Sequence, residues 1–397
     1  MLRADVAIVG AGAAGLSLAY LLSDPAPGRR PLTVLLIDAP PGPLRAPGRT
    51  WCFWECCRSW YDDAVTASWQ NLRFRTRTGR IISSHIAPLR YKMIRSDDFE
   101  ALTAHSLEQS DNVQRVEATA ETVEGTTGGA HLYCRTADGA SLTARARWVF
   151  DSRPLGSLPA GRTTLLQHFH GWFVESDQPV FDPGAVTLMD FRTPQPARGL
   201  SFGYVLPTSP RHALVEYTEF SPQPLSKQGY EEALGHYTRN ILGLPDLTVV
   251  STETGVIPMT DAPFARQSAP SVFRIGAAAG ATRPSTGYTF AAIQRQTQAV
   301  ATGLLSGRHP LPPPAYSARS RAMDAVMLRA LDSGRVDGAD FFTRLFTHVP
   351  TERLLRFLDG RTRLREDLTV GLRTPVLPML RSAVELPYLP RRPFPCP

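Results

Sequence analysis

The first forty residues alternate between apolar runs and a glycine-rich turn. Residues 5–9 and 33–38 are short apolar runs typical of buried parallel strands. The small and apolar residues between the turn and Leu22 predict a helix. The start of the chain is therefore predicted to fold as a strand, a tight turn, a helix and a second strand.

The middle of the chain has the pattern of an antiparallel sheet. Residues 186–192, 200–206 and 213–220 predict three strands linked by proline- and glycine-containing turns. Before them, the sequence predicts a helix at about 97–109 and strands at 113–117, 131–136 and 141–151. Beyond Pro314 the apolar positions take a helical spacing, and residues 375–397 are apolar and rich in proline.

The glycine-rich turn has the spacing that binds a dinucleotide. Gly10 allows a tight turn, Gly12 lets a pyrophosphate approach the backbone, and Gly15 lets the helix pack closely on the strand. The helix amides at this turn, where Ala14 also lies, face the phosphates. The second strand ends in Asp38, 23 residues after Gly15, where an acid binds a ribose hydroxyl. The sequence therefore predicts a bound dinucleotide.

A second glycine-rich segment, late in the chain, favours FAD as the dinucleotide. It contains Gly276 and Gly280 and precedes a helix predicted at about 289–305. A strand, glycine turn and helix that return late in the chain suit FAD, whose flavin half needs a second helix N-terminus. Gly287, just before that helix, is included among the predicted cofactor-binding residues.

Composition narrows the class of protein. The chain has 397 residues, of which 43% are hydrophobic and 20% charged, as expected for a globular protein of about two domains. Its net charge of +7 comes from dispersed arginines, which argues against a nucleic-acid partner and leaves an anionic membrane surface open. The five cysteines show no paired spacing, and His168 and His170 have no evident third ligand. No disulfide framework or metal site is predicted, and a reducing cytoplasm fits.

Several motifs together resemble a known family, the bacterial lycopene beta-cyclases, which belong to the wider group of FAD-binding, hydroxylase-like flavoproteins. The matching stretches are the glycine turn at 10–15, Arg49-Thr-Trp51-Cys-Phe53-Trp54, residues 149–154, Leu188-Met-Asp190-Phe, Leu214-Val-Glu216-Tyr-Thr218 and Pro284-Ser-Thr-Gly287-Tyr288. The resemblance implies an α/β fold in which a Rossmann-like FAD-binding domain is interleaved with an antiparallel-sheet substrate domain and followed by a helical C-terminal region. We expect the first at 1–70, 91–165 and 250–310, the second at 71–90 and 166–249, and the third at 311–397.

The acidic motif assigns the catalytic residue. The family often has Phe-Leu-Glu-Glu-Thr here, whereas this chain has Tyr217 in place of the second acid, so the family's catalytic role carries over to Glu216 alone. Strand alternation puts Leu214, Glu216, Thr218 and Phe220 on one face and Val215, Tyr217 and Glu219 on the other. Apolar neighbours would keep Glu216 protonated, and Glu219 is the natural example of a solvent-exposed strand acid.

The resemblance implies the cyclisation of the open ψ ends of lycopene, or of another ψ-ended carotenoid, to β-ionone rings. Reduced FAD would act without net redox change, and NAD(P)H would serve only to reduce the flavin. The expected substrate-binding residues are all aromatic: Trp51, Phe53, Trp54, Tyr217 and Tyr288. For Trp51, Phe53 and Trp54 the alternative is ordinary packing in the core. The competing functions are a flavin monooxygenase or polyprenyl reductase of the same fold, and a non-catalytic isoprenoid carrier.

A hydrocarbon substrate dissolved in lipid implies contact with the membrane surface. The late helices offer apolar residues for this contact, and nearby arginines offer attraction to anionic lipid. The apolar candidates are Phe341, Phe342, Phe346 and Leu354, and the arginines are Arg344, Arg353 and Arg356. The alternative is that these apolar residues pack on the core.

Overall fold

The computed structural model describes residues 1–24, 30–45 and 47–394. Numbered in chain order, the strands are β1 (Leu2–Val9), β2 (Val34–Asp38), β3 (Thr50–Glu55), β4 (Val65–Trp69), β5 (Asn71–Arg75), β6 (Ile81–His85), β7 (Arg90–Arg95), β8 (Val113–Thr126), β9 (Gly129–Thr136), β10 (Ser141–Asp151), β11 (Leu158–Gly161), β12 (Thr164–Ser176), β13 (Ala185–Asp190), β14 (Leu200–Pro207), β15 (His212–Ser221), β16 (Leu247–Thr260), β17 (Gln267–Ala269), β18 (Val272–Arg274) and β19 (Arg392–Phe394). The α-helices are α1 (Ala13–Ser23), α2 (Ser96–Glu108), α3 (Lys227–His236), α4 (Phe290–Leu305), α5 (Ala318–Asp332), α6 (Gly338–His348), α7 (Thr351–Leu358), α8 (Leu364–Gly371) and α9 (Val376–Glu385). Cys396, one of the five cysteines, lies outside the described residues.

The first sheet is built around the strand that begins the chain. β1 pairs in parallel with β2 on one side and β10 on the other, and the parallel order extends to β8 beyond β2 and β18 beyond β10. β9 pairs antiparallel with β8 and β10. On one face of this sheet the apolar side chains of β1 and β2 are buried beneath α1 and α4, as expected for parallel strands covered by helices. On the other face they pack with side chains of β8, β9 and β10. The predicted Rossmann-like part is confirmed.

The second sheet has seven strands in the order β16-β12-β15-β14-β13-β5-β6. All neighbours are antiparallel except β13 and β5. The predicted antiparallel sheet is therefore confirmed, but one predicted domain bound is wrong. Residues 250–260 were expected in the FAD-binding part, whereas β16 pairs with β12 along its length. Such a long-range pairing leaves no local mark in the sequence.

The helices that follow residue 314 complete the second sheet's core rather than forming a separate layer. Phe341, Phe342, Phe346 and Leu354 are at most 5% exposed and pack with side chains of β5, β13 and β14. The prediction that these four residues contact lipid is therefore wrong. Their helical spacing identified an apolar face correctly, and the sheet covers that face.

The C-terminal region is also tied to the loop that precedes α4. The fully buried Arg283 guanidinium donates to Asp324 of α5 at 3.0 Å, and the Ser285 hydroxyl donates to the same carboxylate oxygen at 2.7 Å. A buried charge pair of this kind depends on both partners, because either one alone would be an uncompensated charge. No helix in the described part of the chain is long and apolar enough to cross a bilayer.

Candidate active site

The glycine turn after β1 has the geometry that a dinucleotide requires. Gly10 has a φ of 91°, a conformation that favours glycine. A Cβ atom at Gly15 would lie 1.8 Å from the Gly10 carbonyl oxygen, so only glycine allows this close packing. A Cβ atom at Gly12 would meet nothing within 4 Å. Open space therefore adjoins the N-terminus of α1, where a pyrophosphate binds in folds of this kind.

Asp38 lies beside the same turn, at the end of β2. One carboxylate oxygen accepts the Ala11 amide at 3.2 Å, and the other accepts from the Arg115 guanidinium at 2.9 Å. The carboxylate is thus fixed next to the open space at Gly12. The Asp38 carboxylate can accept a hydrogen bond from a ribose hydroxyl, and the open space at Gly12 can take the adjoining pyrophosphate.

The second glycine segment contacts the first. A Cβ atom at Gly276 would lie 2.8 Å from the Cβ atom of Ala14, and both Gly276 and Gly280 have positive φ. The buried Ala14 thus faces this segment. Gly287 also has a positive φ, and a Cβ there would lie 1.9 Å from the Gln167 side-chain oxygen. This contact brings the loop before α4 against the second sheet.

A cavity lies against one face of the second sheet, enclosed by that sheet, by β3 and β7, and by this loop. It encloses about 1000 Å³ of unfilled space, including its opening to solvent. Its walls are mostly apolar and aromatic, and they include Phe342, Phe346 and Leu358 from α6 and α7. Apolar walls with few polar groups are the surroundings that a hydrocarbon ligand needs.

Glu216 is one of the two carboxyl groups in this cavity's lining. It lies on β15 with Leu214, Thr218 and Phe220, which also line the cavity, so the predicted strand face is confirmed. The Thr218 hydroxyl donates a hydrogen bond to the Glu216 carboxylate. Burial, together with the charge of Glu253, raises the pKa of Glu216 to about 8, so its carboxyl group is mostly protonated at neutral pH.

The second carboxyl group, Glu253, was not identified from the sequence. Glu216 and Glu253 are the register partners of the same residue, Gly171, on opposite sides of β12. Directly opposed residues point to the same face of a sheet, and glycine leaves the space between the two acids free of a side chain. The Thr50 hydroxyl donates to Glu253 at 2.6 Å, and Arg49 and Arg95 favour its charged form, although burial raises its pKa overall.

Neutral hydroxyl and thiol groups occupy the wall near Glu216. The Tyr91 hydroxyl lies within hydrogen-bonding distance of those of Tyr204 and Tyr288. Burial raises the pKa of all three phenols and raises that of the Cys52 thiol to about 12. These groups therefore stay neutral, and the two glutamates are the acidic groups that titrate in this wall.

Of the five aromatic residues predicted to bind substrate, two line the cavity, two pack on aromatic residues of its lining, and one lies on the opposite face of the sheet. Trp51 and Tyr288 line the cavity. Trp54 packs edge-on against Tyr288, and Phe53 packs on Phe290. Tyr217 points to the opposite face of the sheet, where it joins a core cluster beneath α3, so the prediction that it contacts substrate is not supported. The reason is the strand alternation itself, since residue 217 follows Glu216.

The opposite face of β15 also corrects the expectation for Glu219. Its side chain is 6% exposed, and it accepts a hydrogen bond from the Tyr217 hydroxyl at 3.0 Å. His168 hydrogen-bonds to Ser221 and Tyr230, and His170 to Thr254. Among the described residues, no cluster of histidine, cysteine or acidic side chains could hold a metal ion.

Comparison with solved structures defines the fold. The chain is similar to a flavoprotein/dehydrogenase from Cytophaga hutchinsonii, with a TM-score of 0.65, 16% identity and coverage of 97% of this chain and 100% of that one. It is similar to p-nitrophenol 4-monooxygenase PnpA from Pseudomonas putida, with a TM-score of 0.61, 15% identity and coverage of 99% and 100%. It is also similar to a geranylgeranyl bacteriochlorophyll reductase-like protein from Thermoplasma acidophilum, with a TM-score of 0.60, 14% identity and coverage of 97% and 100%. The fold is therefore that of the hydroxylase-like flavoproteins.

The family to which the chain belongs is narrower than the group of proteins that share this fold. The family described as lycopene cyclase protein matches residues 5–384, nearly the whole chain. The chain belongs to the lycopene cyclase family, which confirms the resemblance seen in the sequence. No curated protein matches it significantly.

Proposed function

We propose that this protein is a flavin-dependent lycopene beta-cyclase, which converts the ψ ends of lycopene or a related carotenoid into β-ionone rings. Membership of the lycopene cyclase family supports the substrate class. The observation that carries the proposal is the buried acid Glu216 in an apolar, aromatic-lined cavity. A hydrocarbon offers no hydrogen-bonding group, so its binding must rest on such walls and its activation on an acid.

Glu216 acts as the proton donor. Its protonated carboxyl transfers a proton to C2 of the terminal double bond, which leaves a cation at C1. The C5=C6 double bond attacks C1, the C1–C6 bond forms, and the positive charge moves to C5. Loss of the proton at C6 restores a double bond between C5 and C6. The product is an isomer of the substrate, so no electrons are gained or lost.

Glu253 acts as the second carboxylate. Its carboxylate accepts a hydrogen bond from Thr50, lies on the same sheet face as Glu216 and opposes the ionisation of Glu216. It is also the second carboxylate in the cavity lining able to accept the proton that leaves C6. Trp51 and Tyr288 present aromatic rings to the cavity, and such rings attract a cation and exclude water from it.

FAD is the cofactor that the two glycine segments fit. The turn at Gly10 to Gly15 and Asp38 would hold its adenosine and pyrophosphate, and Gly276 and Gly280 would hold its flavin half. When bound in its reduced form, FAD would supply negative charge that stabilises a cation without transferring hydride to the substrate, and NAD(P)H would serve only to reduce it. The residues that exclude water from this region are the apolar side chains of the cavity wall.

A monooxygenase or polyprenyl reductase is the competing function, because proteins with those names share the fold. Such hydroxylases usually have an aspartate just after the glycine of the late motif, whereas this chain has Ala277 after Gly276. A non-catalytic isoprenoid carrier is opposed by the intact glycine turn and Asp38.

Expression in bacterial cells that accumulate lycopene tests the proposal. We expect red lycopene to be replaced by γ- or β-carotene. The purified protein should be yellow, with the absorbance of FAD. Unchanged lycopene in cells that contain soluble, flavin-loaded protein would refute the cyclase assignment, and an oxygenated or hydrogenated product would establish the competing function.

A further inference from the structure

We propose that α8 and α9 form the surface by which the protein docks on an anionic lipid bilayer. The inference rests on the proposed function in one respect, namely that the substrate is a hydrocarbon dissolved in lipid. The surface itself is observed independently of that function. It replaces Phe341, Phe342, Phe346 and Leu354, which the structure buries.

Both helices expose a stripe of large apolar side chains. On α8 and its C-terminal cap, Leu364, Leu368 and Leu372 follow one another at intervals of four residues, and on α9 the apolar positions recur at intervals of three and four. The exposed fractions are 56% for Leu364, 60% for Leu368, 71% for Leu372, 41% for Val376, 70% for Leu377, 55% for Leu380 and 68% for Val384. Such spacing places each set on one side of its helix. Isolated exposed leucines are ordinary, but consecutive stripes mark an interaction surface.

The charges around these stripes are positive. The acids of the two helices are all engaged by arginines: Glu366 by Arg356, Asp367 by Arg319, and Glu385 by Arg329 and Arg335. Arg365, Arg373 and Arg381 are exposed and form no ion pair within the described chain. Apolar stripes bordered by unpaired arginines are complementary to a bilayer that carries anionic headgroups.

The same charges argue against a second copy of the chain as the occupant. A two-fold contact places two copies of the same surface against each other, so both sides would carry unpaired arginines and neither would supply an acid free to neutralise them. Tyr388, which is 84% exposed just after α9, adds an aromatic side chain of the kind found at the headgroup level of membranes.

Vesicle flotation of the flavin-loaded, full-length protein tests the docking surface. The probes are vesicles of phosphatidylcholine alone and of phosphatidylcholine with phosphatidylglycerol. We expect binding to the mixed vesicles that weakens as salt is added, because salt screens the arginines. Replacing Arg365, Arg373 and Arg381 by Gln should lower the partition coefficient by about a hundredfold. The control replaces Arg3, Arg145 and Arg308, which are also exposed and form no ion pair within the described residues, and should have little effect.

A second pair of variants tests the apolar stripes. Replacing Leu368, Leu377 and Leu380 by Gln should lower binding at least tenfold, since each leucine loses its burial in lipid. The control is Val250→Gln, which changes a side chain that is 63% exposed on β16. All of these side chains point to solvent, so flavin content should be unchanged in every variant.

The outcomes separate the docking surface from the catalytic function. Binding by the leucine variant equal to that of the wild type would overturn the proposal. So would a wild-type dimer, measured by light scattering, that the leucine replacements dissociate, because a second copy would then be the occupant. Cyclisation of detergent-dispersed lycopene needs no bilayer, so its absence would refute the cyclase assignment while leaving the flotation result interpretable.

Discussion

Replacing Glu253 by Gln is expected to move the alkaline limit of catalysis to lower pH. Burial and the charge of Glu253 raise the pKa of Glu216 to about 8, and catalysis requires the protonated acid, so wild-type activity should fall as pH rises through about 8. The substitution removes one of these two causes. Gln keeps the size of the side chain and can still accept the hydrogen bond from Thr50.

The register gives the size of the effect. Glu216 and Glu253 are separated by two strand spacings, which places their Cα atoms about 10 Å apart. Both side chains point to the same face, so we take about 10 Å as the separation of their carboxyl groups as well. Two unit charges at that separation and an effective dielectric constant of about 20 interact by about 1.7 kcal/mol. This energy corresponds to about one pH unit. The alkaline limit should therefore move from about pH 8 to about pH 7.

The assay is the pH dependence of kcat for the reduced enzyme with detergent-dispersed lycopene. Glu219→Gln is the control, because Glu219 lies on the same strand as Glu216, is similarly buried and faces away from the cavity. Its pH profile should coincide with that of the wild type. The reasoning fails if Glu253→Gln leaves the alkaline limit in place, or if Glu219→Gln moves it as far. Since the two cavity acids titrate as a pair, the measured limit belongs to the pair.

Three further substitutions or measurements follow from the site. Glu216→Gln should lower kcat at least a hundredfold. The pKa of Glu216 is raised from 4.5 to about 8 on folding, so the wild-type free energy of unfolding falls as pH rises through this range. Gln does not ionise, so the free energy of unfolding of the variant should be about 3 kcal/mol higher than that of the wild type near pH 7. An active variant, or one less stable than the wild type, would contradict this. Gly12→Val should abolish FAD binding but leave the thermal stability of the apoprotein unchanged, since a Cβ atom there meets nothing within 4 Å. Gly15→Val should prevent folding, because a Cβ atom there would lie 1.8 Å from the Gly10 carbonyl oxygen. Retention of FAD by Gly12→Val would disprove the assignment. Turnover under strict exclusion of oxygen should need reduced flavin but consume no stoichiometric NAD(P)H; one nicotinamide oxidised per ring would indicate a reductase.

Sequence patterns within a single strand or turn were sufficient to predict the cofactor-binding turn and the position of Glu216. The glycine spacing and the apolar run that ends in Asp38 predicted the turn and its acid, and strand alternation placed Glu216 on the cavity face. Glu253 could not be found in this way, because its position next to Glu216 depends on the pairing of β12 with two strands that are distant in the chain.

The late helices show a second limit of sequence patterns. Helical spacing identifies an apolar face but does not say what covers it. Phe342 and Leu377 both lie on such faces, yet one is 4% exposed and the other 70%. The difference arises from tertiary packing, since α6 lies against the second sheet and α9 presents its leucines to solvent.

Because α6 and α7 form part of the cavity wall, the cavity can close only late in the synthesis of the chain. Phe342, Phe346 and Leu358 belong to the last sixth of the chain, and the Arg283–Asp324 pair joins this region to the loop at Gly287. The residues that would hold FAD extend from Gly10 to Gly287, so the cofactor site is synthesised only shortly before α6 and α7. Until those two helices have been synthesised, the chain exposes the apolar inner face of the second sheet. Premature termination anywhere between residues 314 and 340 would yield a chain with an open apolar sheet, which chaperones and proteases would recognise as unfinished.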